Sequence, residues 1–182
     1  MISPYSGGEH CTSSGAKQSG HFSQRTQFTT STPFPPDTNL ETAINTLHSH
    51  DDMIRLNPLV INFQKCGPPS DAPADEQSLI WYEITDKVPI LPFNLYSREV
   101  TYKACFEDLP AGLQTHVYAP MGLDIREVWS IGGIAAADDP GENTGLYLQE
   151  EVNMSCNFFM TGFVKGTLKD AHGRLFEKMV AN

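Results

Sequence analysis

Residues 145–156 read GLYLQEEVNMSC, an alternation typical of a β-strand, and the chain then ends in one long amphipathic segment. Five apolar residues of that segment recur at spacings of four, three, four and four, which is one stripe of a 3.6-residue period. They are Val164, Leu168, Ala171, Leu175 and Met179. A terminal helix preceded by strands needs a curved sheet to bury such a stripe. The sequence therefore predicts a sheet that grips a C-terminal helix and leaves a cavity between them.

The segments before this stretch predict mostly strands, because runs rich in β-branched and aromatic residues are bounded by turns that contain Pro or Gly. The predicted strands are 21–32, 59–65, 78–88, 97–107, 113–119, 123–131 and 145–156, and the predicted short helices are 39–49 and 51–56. Short loops between the later strands favour an antiparallel meander. We predict an α+β fold: a curved antiparallel sheet of about seven strands around the final helix, with two short helices between strands 1 and 2.

A chain of 182 residues is long enough for one domain with a sizeable core. Residues 1–20 are rich in Ser and Gly and almost free of apolar side chains, so we expect a disordered tail before a domain at 21–182. Two connections, 87–96 and 132–144, join strands that would line the cavity. Each is either a gate at the cavity mouth or an ordinary packed corner or surface loop.

The charge balance excludes some partners. The chain has 12 Lys and Arg against 22 Asp and Glu, a formal net charge of -10, and such a surface repels nucleic-acid phosphates. No apolar run approaches the ~20 residues that cross a bilayer, and no signal peptide is visible. The four cysteines form no Cys-x-x-Cys pair, which favours reduced thiols and a cytoplasmic location. The sequence leaves the oligomeric state open.

Five short segments resemble a fungal family, a domain of unknown function, in the START/polyketide-cyclase-like (SRPBCC, helix-grip) superfamily. They are LHSHD at 47–51, LNPL at 56–59, WYEITD at 81–86, HVYAPMGLDIRE at 116–127 and TGFVK at 161–165. The resemblance covers roughly residues 25–180. At the level of the superfamily it implies a helix-grip fold with a deep pocket for a hydrophobic or polycyclic small molecule, and it implies no particular activity.

Strand periodicity places one carboxylate in the middle of each of two apolar faces, Glu127 beside Trp129 and Glu150 beside Leu148. A hairpin that pairs Glu127 with Glu150 keeps every inward residue opposite an inward residue, whereas a slip of two residues keeps the faces but separates the carboxylates. Burial and like charge raise carboxyl pKa values, and such a pair can act as general acid and base on a ligand. The alternative is that these carboxylates are solvated at the cavity mouth or paired with an Arg.

Other residues of the inward faces are candidates for ligand contact. Tyr82 and Tyr102 alternate with apolar residues, so core packing and pocket lining both stay open. His116 and Tyr118 share the polar face of their strand, which is more simply the outer face, although both residue types can hydrogen-bond a ligand. The expected ligand-binding residues are Tyr82, Tyr102, His116, Tyr118, Ile125, Trp129, Leu148, Val164 and Leu168.

We expect no metal and no cofactor. His48 and Asp52 are one helical turn apart, but a zinc site needs three or four ligands and no convincing remaining set is found. Cys105 and Cys156 lie among apolar strand residues, which predicts unreactive thiols. The chain contains no Gly-x-Gly-x-x-Gly, no Walker loop and no Gly-x-Ser-x-Gly.

Three functions fit these observations. The first is binding of a hydrophobic small molecule, lipid-like or polycyclic, in the cavity between sheet and helix. The second is a cofactor-independent cyclase, isomerase or dehydratase that uses Glu127 and Glu150 as acid and base. The third is an interaction module whose cavity is collapsed.

Overall fold

The computed structural model describes residues 23–89, 97–133 and 145–181. The predicted tail at 1–20 lies outside these residues, and so do most of the two candidate gating connections, at 90–96 and 134–144.

The sheet has seven strands in the spatial order β1-β7-β6-β5-β4-β3-β2, and every neighbouring pair is antiparallel. The strands are β1 Ser23–Pro33, β2 Val60–Cys66, β3 Ile80–Pro89, β4 Ser97–Leu109, β5 Gly112–Ala119, β6 Leu123–Gly132 and β7 Tyr147–Asn157. The helices are α1 Leu40–His48, α2 His50–Arg55 and α3 Phe158–Val180. A single 3₁₀ turn, Pro120–Gly122, joins β5 to β6. The predicted α+β architecture is therefore confirmed, with a curved sheet and the long helix at the C-terminus.

Helix α3 packs by the stripe that the sequence shows. Val164, Leu175 and Met179 are buried, and Leu168 and Ala171 are partly buried. Three glycines of α3 are exposed, and each lowers helix propensity by about 1 kcal/mol relative to alanine. The helix therefore depends on burial of its stripe against the sheet and α1 rather than on its intrinsic propensity.

Helices α1 and α2 close one end of the sheet. The side chain of Asn39 accepts a hydrogen bond from the Thr42 amide and so caps the start of α1. His48, at the end of α1, contacts the carbonyl oxygens of Leu109 and Gly112 at 2.9 and 3.0 Å. Asp52 of α2 instead pairs with the Lys178 ammonium of α3 at 2.7 Å. His48 and Asp52 therefore have separate structural partners and do not converge on a common site.

The register of the β6–β7 hairpin differs from the predicted one by two residues. Glu127 lies opposite Val152, and Glu150 lies opposite Trp129, so the direct Glu127–Glu150 pairing was wrong. Both registers place the same side chains on the inner face, which is why the alternation alone does not distinguish them. The two carboxylates are consequently diagonal neighbours on the inner face rather than a cross-strand pair.

Candidate ligand cavity

A cavity of about 670 Å³ lies between the concave face of the sheet and the helices α2 and α3. Its lining is mostly apolar, with Ile84, Ala104 and Val117 from the sheet and Leu168 from α3 among its walls. It reaches the surface beside Met121 of the 3₁₀ turn, whose side chain is 76 % exposed. The space arises because α3 crosses a curved surface and contacts the sheet mainly through β7 and β1, which leaves β3 to β6 facing an open volume.

Glu127 projects into this cavity from β6. The Thr115 hydroxyl donates a hydrogen bond to Glu127 Oε2 at 3.2 Å, and the Trp129 side chain is a second hydrogen-bond partner. Burial, and then the charge of Glu150, raise the pKa of Glu127 to about 7, although these two hydrogen bonds act in the opposite direction. Glu127 therefore changes its protonation state near neutral pH while it faces an apolar space.

Glu150 of β7 is completely buried and does not line the cavity. His172 Nδ1 of α3 contacts Glu150 Oε2 at 3.0 Å, and His172 Nε2 contacts the Thr32 hydroxyl of β1 at 3.0 Å. Burial raises the pKa of Glu150 to about 8 and lowers the pKa of His172 to about 4. Burial therefore favours the neutral form of each group, a protonated carboxyl beside an uncharged imidazole.

One oxygen of this pair lacks a hydrogen-bond partner among the described residues. Within the described part of the chain, Glu150 Oε1 is buried and makes no hydrogen bond. The imidazole of His172 also stacks on the Trp129 ring, with ring centroids 5.5 Å apart. Burial without a hydrogen-bond partner costs far less free energy for a neutral carboxyl than for an ionised one, which agrees with the raised pKa of Glu150.

A second polar group enters the cavity from β3. Asp86 Oδ2 accepts a hydrogen bond from Asn57 Nδ2 at 2.9 Å, and the Tyr102 hydroxyl lies 3.3 Å from both Asp86 oxygens. Burial raises the pKa of Asp86 despite these hydrogen bonds, and burial together with Asp86 raises the pKa of Tyr102. All three side chains line the cavity, so its floor carries two separate carboxyl groups, one on β3 and one on β6.

The structure brings together six of the residues that the sequence analysis named as site candidates. Glu127, Tyr102, Ile125, Trp129, Val164 and Leu168 line the cavity. Leu148 and Tyr82 face the same side of the sheet but are not part of its lining. Leu148 is fully buried in the core, and the Tyr82 hydroxyl lies 3.3 Å from His50 Nδ1 of α2. Their side chains fill the space beside the cavity, so they are packing residues.

The placement of His116 and Tyr118 at the cavity was wrong. Thr115 and Val117 of the same strand line the cavity. Because successive side chains of a strand point to opposite faces, His116 and Tyr118 lie on the convex face. The convex face is not fully exposed to solvent at this position. His116 is 3 % exposed, because it lies under the connection between β2 and β3, where it contacts Glu76.

Sequence reasoning missed Asp86 and His172. Asp86 alternates with Ile84 and Val88 on β3, the same signal that identified Glu127 and Glu150. His172 directly follows Ala171 of the α3 stripe, at a position that a 3.6-residue period also turns inward. Both residues are therefore detectable from periodicity once the inner faces are known.

Comparisons with solved structures identify the architecture. The crystal structure of Ara h 8.0201 aligns with a TM-score of 0.53 at 10 % identity, over 88 % of this chain and 99 % of that one. The di-domain ARO/CYC StfQ from the steffimycin biosynthetic pathway aligns with a TM-score of 0.56 at 9 % identity, over 86 % of this chain. This chain spans about half of StfQ, since 51 % of that chain is covered.

An uncharacterized protein from Rhizobium leguminosarum also aligns, with a TM-score of 0.52 at 7 % identity, over 88 % of this chain and 97 % of that one. At such identities the likeness establishes the fold alone, which matches the Bet v 1-like and cyclase folds. No helix among residues 23–89, 97–133 and 145–181 is long and apolar enough to cross a membrane.

Sequence comparison gives the family. No curated protein matches the chain. The family model described as Domain of unknown function (DUF7053) matches residues 23–182, which includes every described strand and helix. The chain therefore belongs to the DUF7053 family.

Proposed function

We propose that this protein binds a hydrophobic small molecule in the cavity between the sheet and α3. The single observation that carries the proposal is an apolar space of about 670 Å³ with a few polar groups turned into it. Ligand pockets of proteins are mostly apolar clefts of about 300 to 1,000 Å³ with a small number of placed polar groups. The same volume argues against an interaction module with a collapsed cavity. Similarity in fold to an ARO/CYC protein supports small-molecule binding by analogy only.

The charges of the cavity restrict the ligand. Glu127 and Asp86 face its interior, and Arg98 is the one Lys or Arg among the described lining residues. Arg98 is exposed and therefore belongs to the rim. An anionic group on the cavity floor would meet two carboxyl groups and no cation, whereas a hydroxyl, carbonyl or amine can hydrogen-bond to either. The ligand class that fits is a hydrophobic molecule whose buried polar group is neutral or cationic.

Binding of Nile red, a neutral apolar dye, tests the first proposal. Saturable binding with one site per chain is expected for the wild type. Ala171→Phe adds a ring where α3 lines the cavity and is expected to weaken binding at least about tenfold. Ala181→Phe makes the same substitution at an exposed position and is expected to leave binding unchanged. Equal dye binding by the wild type and Ala171→Phe would contradict a site in this cavity.

A second function, cofactor-independent cyclisation, isomerisation or dehydration, is favoured by the Glu127–Glu150 pair. Glu127 faces the ligand space with a pKa of about 7, so its carboxylate can take a proton from a carbon next to a carbonyl and return it elsewhere on the same molecule. Glu150 and His172 contact each other in the protein interior and do not line the cavity. Their role in this proposal is to set the protonation of Glu127 and to exclude water.

Isomerisation of a β,γ-unsaturated polycyclic ketone to the conjugated ketone tests this activity, because the reaction needs one positioned base and no cofactor. Turnover above buffer that is lost in Glu127→Gln but kept in Glu151→Gln is expected. Glu151 is the adjacent control because it is exposed on the other face of β7. Equal rates in the wild type and Glu127→Gln would contradict the acid–base role and leave binding as the function.

The cytoplasmic location also belongs to the proposal. Among the described cysteines, Cys66, Cys105 and Cys156 are free thiols. Unpaired cysteines are usual for proteins in reducing compartments, so they support the location that the sequence predicts.

A further inference from the structure

Three potential metal ligands meet on the convex face of the sheet, away from the cavity. They are Glu76, Cys105 and His116, and we name them the convex-face cluster. Cys105 of β4 and His116 of β5 are direct cross-strand partners, and Glu76 lies on the connection between β2 and β3. Their exposures are only 4, 2 and 3 %, respectively. Because a carboxylate, a thiol and an imidazole are buried together here, water does not satisfy their polar atoms, and other partners must do so.

The donor atoms of the cluster are close enough for one small cation. All three ligand atoms lie within 4.8 Å of one another. Glu76 Oε1 is 2.8 Å from His116 Nδ1, and Glu76 Oε2 is 3.6 Å from Cys105 Sγ. A tetrahedral zinc with bonds of about 2.0 to 2.3 Å separates its ligand atoms by roughly 3.3 to 3.8 Å. Side-chain adjustments of at most about 1 Å therefore bring these atoms to zinc-binding distances.

Two of the three ligands are also held by outer partners. Asp124 Oδ2 contacts His116 Nε2 at 3.0 Å, which fixes the ring and leaves Nδ1 turned toward Glu76. The Arg126 guanidinium lies 3.3 Å from Glu76 Oε1, and the Tyr118 hydroxyl donates to Glu76 Oε2. In zinc sites the far nitrogen of a histidine ligand is commonly held by a carboxylate, and ligating carboxylates are hydrogen-bonded in turn. The convex-face cluster shows both features.

We propose that the convex-face cluster binds Zn²⁺ through Glu76, Cys105 and His116. Thiolate, imidazole and carboxylate are the ligand types that zinc takes in proteins, and three protein ligands leave a fourth position for water. The ion fastens the irregular connection at 67–79 to β4 and β5. Without metal, the same atoms form a hydrogen-bonded network around the Glu76 carboxylate, and the competing explanation is that this network is all the cluster does.

Titration of metal-free full-length protein with Co²⁺ distinguishes the two explanations, because a cobalt–thiolate bond gives a near-ultraviolet charge-transfer band and four-coordinate Co²⁺ gives strong visible bands. One equivalent of Co²⁺ that produces both bands, and is displaced by one equivalent of Zn²⁺, is expected. Cys105→Ser is expected to lose the charge-transfer band and to bind Zn²⁺ at least about 100-fold more weakly. Cys66→Ser, at the end of β2 and outside the cluster, is the matched control and is expected to behave as the wild type.

Asp124→Asn separates a metal site from a purely structural network. It keeps the shape of the residue that holds His116, and a loss of about 10- to 100-fold in Zn²⁺ affinity is expected if Asp124 orients a ligand. Wild-type protein that shows no cobalt–thiolate band, or that releases zinc on gel filtration, would overturn the proposal. So would an unchanged affinity in Cys105→Ser. Each result is independent of the cavity, which lies on the other face of the sheet.

Discussion

Glu150→Gln is expected to remove much of the pH dependence of folding stability between about pH 6.5 and about pH 8.5. In the wild type, burial raises the pKa of Glu150 from its ordinary 4.5 to about 8. Throughout this range the unfolded chain has already lost the proton, whereas the folded chain holds it until the pH passes about 8. The folded state therefore binds more protons, and the free energy of unfolding falls as the pH rises.

The expected magnitude follows from this difference in bound protons. Each pH unit in which the folded chain holds one proton more than the unfolded chain lowers the free energy of unfolding by about 1.4 kcal/mol. Because the folded chain begins to release its proton near pH 8, the loss over the whole range is about 2 kcal/mol for Glu150. Glu127 adds a loss of the same sign, since its pKa is raised to about 7. His172 acts in the opposite direction, because its unfolded form still releases its proton near pH 6.5, and it raises the free energy of unfolding by only about 0.4 kcal/mol over this range.

Urea unfolding followed by the fluorescence of Trp81 and Trp129 measures the effect at several pH values. Wild-type stability is expected to fall steadily with pH, and Glu150→Gln to fall by about 2 kcal/mol less. Glu151→Gln, an exposed neighbour on the same strand, is expected to keep the wild-type slope. If the wild type and Glu150→Gln lose stability in parallel, Glu150 is not a buried protonated carboxyl, and the reasoning about the pair fails.

Three further substitutions test the packing around the cavity by their effect on the free energy of unfolding. Leu175→Ala removes a fully buried side chain of α3 and is expected to destabilise the protein by about 2 to 5 kcal/mol in a denaturant titration. Gly112→Ala places a Cβ against the backbone carbonyl oxygen of Trp129, so a fall in Tm equivalent to about 1 to 3 kcal/mol is expected. His172→Ala leaves the buried carboxyl of Glu150 without its partner, and a loss of about 1 to 3 kcal/mol at pH 7 is expected by urea unfolding.

Matched controls make these results specific. Gly166→Ala lies on the exposed side of α3 with open space around the new Cβ, so it is expected to stabilise the helix by up to about 1 kcal/mol. Lys169→Ala, also exposed on α3, is expected to change stability by less than about 0.5 kcal/mol. A loss for Leu175→Ala no larger than that for Lys169→Ala would contradict the packing of α3 on the sheet. Wild-type stability in Gly112→Ala would contradict the close β5–β6 contact.

The strands and α3 are recoverable from the sequence because their signals are local. The alternation in β6 and β7 separates inner from outer side chains without knowledge of the partner strand. The 3.6-residue stripe likewise defines the buried side of α3. These patterns predicted that Glu127 and Glu150 face inward and that Tyr102 shares the inner face of β4, as the structure shows.

The sequence did not determine which strand residues lie opposite each other. A slip of two residues between β6 and β7 conserves every inner and outer face, so the pairing of Glu150 with Trp129 rather than Glu127 depends on the packing of the whole sheet. His172 reaches Glu150 only because α3 crosses β7 at that point, 22 residues later in the chain. The spacing of residues along the sequence does not indicate such contacts.

The alternation along each strand therefore determined which side of the sheet every residue faces, since side-chain direction follows from the backbone of one strand alone. Tertiary structure decided what covers each side. The strand position of His116 turns it away from α3, yet it is buried because the connection at 67–79 folds over the convex face and brings Glu76 to it. Burial and proximity between distant segments depend on how the elements pack together, and for this reason the Glu150–His172 contact and the convex-face cluster emerged only with the fold.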